Sequence, residues 1–594
     1  MKKTGKKIVL FAVLLVLFAG FGWARPVKET APAQTMAFGP PPVYPELTRS
    51  MMTGRAAVVG DYPESAVTAW KILEQGGTAF DAAVGMAATM GIVNQSMNDI
   101  FGGDAMIIVY SAKDKKLFNY NGSGWAPSAA TIDRYIDAGG IPDDGILSVE
   151  VPGAFAGWMS LLRDYGTMPL SKIFAPAIQL ADNGWQIRTD LSEFVEEYLP
   201  KLNQEARNIY APKGSPVKPG DIAYNKNMAK LLTTLSSMSY QDAEDYIYRG
   251  PFAKALVDFS TSLGGLFSLA DMNEFRATKV NPLSTNYKGI DVYVCPPNSQ
   301  GMVLLEALNI IENYNLKALG HNTAEYLDLV IQVLNLCIED RNRFMGDPRF
   351  VPIPYGMITK EYAKIRKNDI KPGKPMPDKI PNADPDKYAQ FYTGQKGGDT
   401  TFMAIADAMG NVVACTTSVC QIFGSKLFLP GYGVMLNDRM TYFLLDEDSP
   451  NHLLPRKRTM QTITPSIALK NGAPYLAWGT PGADLQEQMK FQVFLNIVEW
   501  GMNAQKAVEQ PRLQTLHPTP LMVTPGFLSS PRALHVEARI PLEERNKLAK
   551  MGYAIRLVDW NMLGGLMGLI KIDPATGWKE TGADPRGNNT ALAW

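Results

Sequence analysis

Residues 397–418, GGDTTFMAIADAMGNVVACTTS, set a Thr-Thr pair behind two glycines and an aspartate, at the head of a run that reads as an apolar strand. A threonine hydroxyl is a weak nucleophile. One route that activates it without histidine is to make the threonine the first residue of a chain, so that its own α-amine serves as the base. That amine has a pKa of about 7.7–8.0, close to ambient pH, against about 10.4 for a lysine. Thr400 becomes such a residue only if the chain is cut after Asp399, and the glycines beside Asp399 let the backbone bend toward the hydroxyl.

Two strands, 400–407 and 412–419, are expected to carry this pair. If Ala408-Met409-Gly410 is a three-residue loop with Gly410 left-handed, Asp407 pairs with Asn411, and counting back puts Thr400 opposite Ser418. With a two-residue loop the partner becomes Val419, and Ser418 turns to the other face. The upstream run 371–397, with five prolines, several charges and no apolar period, reads as a mobile surface segment ending at the cut.

Other chemistries lack their signatures. The chain has no HExxH, no GxSxG and no GxxxxGK[ST]. Its four histidines, His321, His452, His517 and His535, are scattered and read as surface or core residues, and no metal or cofactor is implied. Cys295, Cys337, Cys415 and Cys420 are too few for a disulfide scaffold and show no CxxC spacing. They read as buried thiols.

The 594 residues carry 58 basic and 58 acidic side chains, so no charge surplus draws the chain to nucleic acid or an anionic membrane. With 46% hydrophobic residues the composition is globular. The start, MKKTGKKIVLFAVLLVLFAGFGWARP, has lysines, an apolar run from Ile8 to Trp23 and small residues Gly22 and Ala24 before Arg25, the pattern of a signal peptide over 1–24. The run is shorter than the roughly 18–20 residues of a membrane span, so cleavage and a periplasmic or secreted location are expected, with no stable span. Residues 25–53 read as a linker.

Beyond it, PESAVTAWKILEQGG and AFDAAVGMAATMGIV read as helices, AMIIVYSAKDKKLFNY as a hairpin, and 155–350 as mainly helical. PSIALKNGAPYLAWG forms another hairpin around Asn471-Gly472, and the C-terminal third is strand-rich. The class is a mixture of helices and segregated strands.

These residues resemble the γ-glutamyltransferase family of N-terminal-nucleophile hydrolases, from about Met52 to the C-terminus. The resemblance is carried by GGTAFDAAV (76–84), FGGDAMIIVY (101–110), VPGAFAGW (151–158), YGTMPLSKIFAPAIQLADNG (165–184), PPNSQGMVLLEALNIIE (296–312), GGDTT, GYGVMLNDRM (431–440), ITPSIAL (463–469), GTPGA (479–483) and QPRLQ (510–514). It implies an α+β fold, an αββα four-layer sandwich, made as a precursor that cuts itself between Asp399 and Thr400. The products would be a large subunit, 54–399, and a small one, 400–594, held as a heterodimer. Thr400 would attack a substrate amide and pass the acyl group to water or an amine. Ser418 matches a family threonine that supports the nucleophile, and the amides of Gly482 and Ala483 match the oxyanion hole.

The pocket departs from the family pattern. Where γ-glutamyl specificity rests on an arginine, an asparagine, a glutamine, an aspartate and two serines, this chain has Ser123, Cys420, Arg439, Tyr442, Gln461 and Thr462. The lost arginine removes a bidentate carboxylate partner, and the lost aspartate removes the charge that would hold an ammonium. Arg439 reads either as a substrate contact or as paired with an acid such as Asp438 or Asp446. PPNSQG, FGGDA and NDRM also resemble the branch containing cephalosporin acylases and oxamate amidohydrolases. The expected activity is cleavage of γ-glutamyl amides such as glutathione, with a carboxylated amide lacking the α-amine as the alternative substrate. A processed but inactive binding protein is the reading from another class.

Overall fold

The computed structural model describes residues 49–387, 402–516, 532–559 and 565–594. The expected signal peptide, most of the linker, and Asp399 and Thr400 lie outside the described residues.

Two seven-stranded sheets form the centre, and the pairings recorded within each are antiparallel. One runs Asn589–Ala593, Ala57–Asp61, Met403–Ala406, Val412–Ser418, Asp104–Ser111, Lys116–Gly122, Thr278–Val280. The other runs Thr53–Gly54, Lys579–Ala583, Gly568–Ile572, Ala473–Gly479, Ser466–Lys470, Ile290–Val294, Leu283–Tyr287.

Strand side chains alternate between faces, and that alternation separates three apolar layers. Val59, Met106, Ile108, Ala404, Ala406, Val412 and Ala414 of the first sheet meet Ile467, Ala477 and Ile570 of the second. Their neighbours Val58, Ile107, Val109, Ile405 and Val413 face the other way, onto the helices Ala79–Val93 and Ala154–Tyr165. On the far side, Val292, Ala468, Leu476 and Trp478 pack on Met302–Ile311, Ala324–Phe344 and Leu485–Val498. The order is helix, sheet, sheet, helix: an αββα sandwich. Helix Ala79–Val93 is buried along its whole length, which explains its run of alanine and glycine: small side chains let it lie close to the sheet.

The expected turn forms. Asp407 N–H donates to Asn411 O at 3.1 Å, and Gly410 has φ 90°. The ladder runs Met403↔Cys415 to Ala406↔Val412, the register of the three-residue loop. Asn471 and Gly472 both have positive φ (54° and 78°), as the second hairpin requires.

Helices dominate 155–350 as expected, and within that stretch 278–294 supplies three strands, with Lys288-Gly289 (φ 50° and 87°) turning the last two. One expectation is corrected. The segment 371–397 is not all loose surface. Within its described part Met376 and Ile380 are buried against the helix layer, Gly373 N–H donates to Asp328, and Pro381 O accepts from Arg366. Two well-placed apolar side chains anchor a proline-rich run that has no period to announce them.

Candidate active site

The end of the first sheet places the candidate residues in one row. Ser418 is the ladder partner of Asp104, and Ala105 pairs with Gly122, so Ser123 follows one step beyond. Glycines bring these backbones together: a Cβ on Gly102 would lie 1.7 Å from Met435 O, and one on Gly103 would lie 2.7 Å from Ser418 O. Ser418 Oγ accepts from Cys420 N–H at 2.9 Å, while Cys420 itself has φ 85°. All four cysteines are free thiols; Cys295, Cys337 and Cys415 are buried, as expected, while Cys420 is half-buried.

Behind the row lies a buried charged network. Asp104 Oδ1 accepts from Gly124 N–H at 3.1 Å and its Oδ2 from Gln461 Nε2 at 2.7 Å. Arg439 Nε is 3.5 Å from Asp104 Oδ2, and its guanidinium lies 5.4 Å from the centre of the Tyr442 ring. Arg439 thus does meet an acid, but the acid is Asp104 rather than Asp438 or Asp446. Glu150 stands beside Asp104. Burial, and then the Asp104 charge, pushes the Glu150 carboxyl well above the usual carboxylate range. Arg458, pushed down by burial to about 10 and still a cation at neutral pH, donates to Ser123 O at 3.0 Å.

Ser123, fully buried, accepts from Asn298 Nδ2 at 3.0 Å through its hydroxyl. Thr462 Oγ1 lies 3.2 Å from the Tyr442 hydroxyl. Gly482 and Ala483 have φ 116° and 47° and lead into the helix Leu485–Val498. Among the described residues neither amide donates a hydrogen bond, which leaves both available to a ligand oxygen. Phe402, at the foot of the strand that leads back to Thr400, packs against Gly479 just before this turn; a Cβ on Gly479 would lie 2.3 Å from its ring. Ser418, Cys420, Arg439, Tyr442, Gln461, Thr462 and Ser123 therefore belong to one connected region, and Phe402 ties the Gly482–Ala483 turn to the same end of the sandwich.

Asp438 lies under Cys420. Its Oδ1 accepts from Gln421 N–H at 3.0 Å, and burial raises it from 3.8 to about 6, with Lys426 pulling the other way. Burial, with Asp438 next, pushes the Cys420 thiol up to about 12, so it stays protonated. A carboxyl whose folded pKa is raised stabilises the fold fully below its unfolded value, and that contribution is lost as pH rises through the folded value. Asp438→Asn is therefore expected to match the wild type in thermal unfolding below about pH 4 and to exceed it above pH 6, by on the order of 2–3 kcal/mol. Melting curves across pH 4–7 check this.

Sequence reasoning missed Asp104, Glu150 and Asn298 as neighbours of these residues, although FGGDA and PPNSQG contain two of them. Among the described residues no group of histidine, cysteine and carboxylate side chains is arranged to hold a metal.

Two antiparallel sheets stacked between helix layers, with a buried polar network at one end of the central hairpin, have the architecture of an N-terminal-nucleophile hydrolase. The model of the γ-glutamyltranspeptidase family matches residues 65–594. A glutathione hydrolase proenzyme of Bacillus subtilis (strain 168) is 30% identical, covering 100% of this chain and 99% of its own. A glutathione hydrolase-like proenzyme of the same organism is also 30% identical, covering 92% and 100%. The crystal structure of cephalosporin acylase from Bacillus halodurans superposes with a TM-score of 0.83 at 28% identity, covering 94% of this chain and 99% of that one. The chain belongs to the γ-glutamyltranspeptidase family, and it is an enzyme of that family.

Proposed function

We propose that the chain is exported, loses residues 1–24, and cuts itself between Asp399 and Thr400 into a large subunit (54–399, behind a linker at 25–53) and a small subunit (400–594) that remain paired. Thr400 then gives its hydroxyl proton to its own α-amine and attacks the carbonyl of a γ-glutamyl amide such as glutathione. The oxyanion meets the Gly482 and Ala483 amides. The leaving amine takes the proton, a γ-glutamyl ester remains on Thr400, and water or a second amine releases it. The observation that supports this reading is the register Met403↔Cys415 to Ala406↔Val412, which is the register of the three-residue loop from which the sequence count sets Thr400 against Ser418. The Ser418 hydroxyl would support the nucleophile. Among the described residues no helix is long and apolar enough to cross a membrane. Release of p-nitroaniline from γ-glutamyl-p-nitroanilide by the processed protein tests this reading. No turnover of any amide by processed protein would leave the binding-protein reading in its place.

A second reading, a carboxylated amide without an α-amine, is favoured by Arg439 and Tyr442, both buried where the family binds the substrate's polar head. A cation about 4 Å from a substrate ammonium, at an effective dielectric near 20, costs on the order of 4 kcal/mol, or about 10³-fold. Asp104 at 3.5 Å offsets much of that charge. Glutaryl or oxamate-type amides are accordingly expected to exceed γ-glutamyl-p-nitroanilide in kcat/KM by about tenfold, and Arg439→Gln to narrow the gap. A better γ-glutamyl substrate, with a ratio that Arg439→Gln leaves unmoved, sinks this second reading.

A further inference from the structure

The turn that carries the Gly482 and Ala483 amides is held from behind by one side chain. Gln300 is fully buried at the head of the helix Met302–Ile311. Its Nε2 donates to Thr462 O and, at 3.3 Å, to Ala483 O. Its Oε1 accepts from Arg341 at 2.5 Å. These partners settle the orientation of the amide group, because two carbonyl oxygens can only accept and a guanidinium can only donate. Arg341, buried on the helix Ala324–Phe344, also donates to Asp484 Oδ1, in the residue that follows Ala483. Ala483 sits in the left-handed region, which an alanine adopts only under constraint from its surroundings. Gln300 grips its carbonyl and Arg341 grips the next side chain, so together they fix the direction of the turn's N–H groups. The same Gln300 amide ties the turn to Thr462 on the substrate side.

We propose that Gln300 and Arg341 are positioning residues for the oxyanion: they hold the Gly482 and Ala483 amides at the angle the transition state needs, without touching substrate. This rests on the reading of that turn as the oxyanion hole. A misplacement of about 1 Å in such a site costs on the order of 10²-fold in rate. The mechanism does not call on either residue as an acid, a base or a ligand.

The test is Gln300→Glu, assayed on γ-glutamyl-p-nitroanilide with rates normalised to folded, processed enzyme. A carboxylate keeps the Arg341 contact but cannot donate to Thr462 O or Ala483 O. The expected result is a kcat reduced about 10- to 100-fold with KM within about threefold and little change in Tm. Gln300→Met, which keeps the volume and loses both hydrogen-bonding ends, is expected to show the same kcat loss. Gln300→Ala combined with Arg341→Ala is expected to cost no more than the worse single variant, since the two act as a unit. Unchanged kcat per folded molecule in both Gln300→Glu and Gln300→Met overturns the proposal. Gly482→Val separates the two levels. If it too leaves kcat unchanged, the turn is not the oxyanion hole; if it lowers kcat while the Gln300 variants do not, only the bracing role falls.

Discussion

Thr400→Ala is expected to stay a single chain after purification and to lose turnover by at least about 10⁴-fold. The alanine has no hydroxyl to attack the Asp399 carbonyl, so the α-amine that should serve as base is never released. Removing the nucleophile from a catalytic unit costs up to about 10⁶ in kcat, and here the same change also removes the base. The fold should be intact, because the layers on both faces of the strand Met403–Ala406 are built from residues that the substitution leaves unchanged. Gel electrophoresis and an amide assay on the same preparation check both halves of the expectation. A Thr400→Ala protein that is processed and active would require another nucleophile.

The second large effect is expected at Gly482. Its φ of 116° lies where side chains, β-branched ones above all, are strained. Gly482→Val should turn its amide and that of Ala483 away from the developing oxyanion. Loss of one such donor costs about 10²–10³ in kcat. KM should change little, since the interaction belongs to the transition state, and thermal unfolding should shift by only a few degrees because the substitution sits in a turn outside the three apolar layers. Steady-state kinetics beside a melting curve distinguish this from general destabilisation.

What the sequence made legible was local. The Asp407–Asn411 turn follows from the placement of Gly410, and the register follows from the turn, so the ladder Met403↔Cys415 to Ala406↔Val412 could be counted from residues a few places apart. The Lys288-Gly289 turn carried a similar signal, and the strands beside it were overlooked because helices surround them on both sides. What was not legible was tertiary. Arg439 meets Asp104 because the chain before it docks on the strand ends, where Asn437 N–H donates to Gly102 O and Asp438 N–H to Val419 O, both at 3.1 Å, and no spacing along the chain encodes that. Glu150 reaches the same place through Asn437, whose side chain accepts from its N–H at 3.1 Å. The burial of Met376 and Ile380 depends on a helix surface some forty residues away. The six candidate substrate positions come from family motifs, and the Asp104–Glu150 carboxyl pair beside Arg439 came from the structure alone.

The pairing of Ser418 with Asp104, and of Cys415 with Met403, leaves one question on which the rest depends: whether the chain beginning at Thr400 exists. N-terminal sequencing of the smaller fragment of the purified wild-type protein answers it. The account predicts Thr-Thr-Phe-Met as the first four residues. An intact wild-type chain that hydrolyses amides, or a small fragment that begins at any other residue, would contradict it.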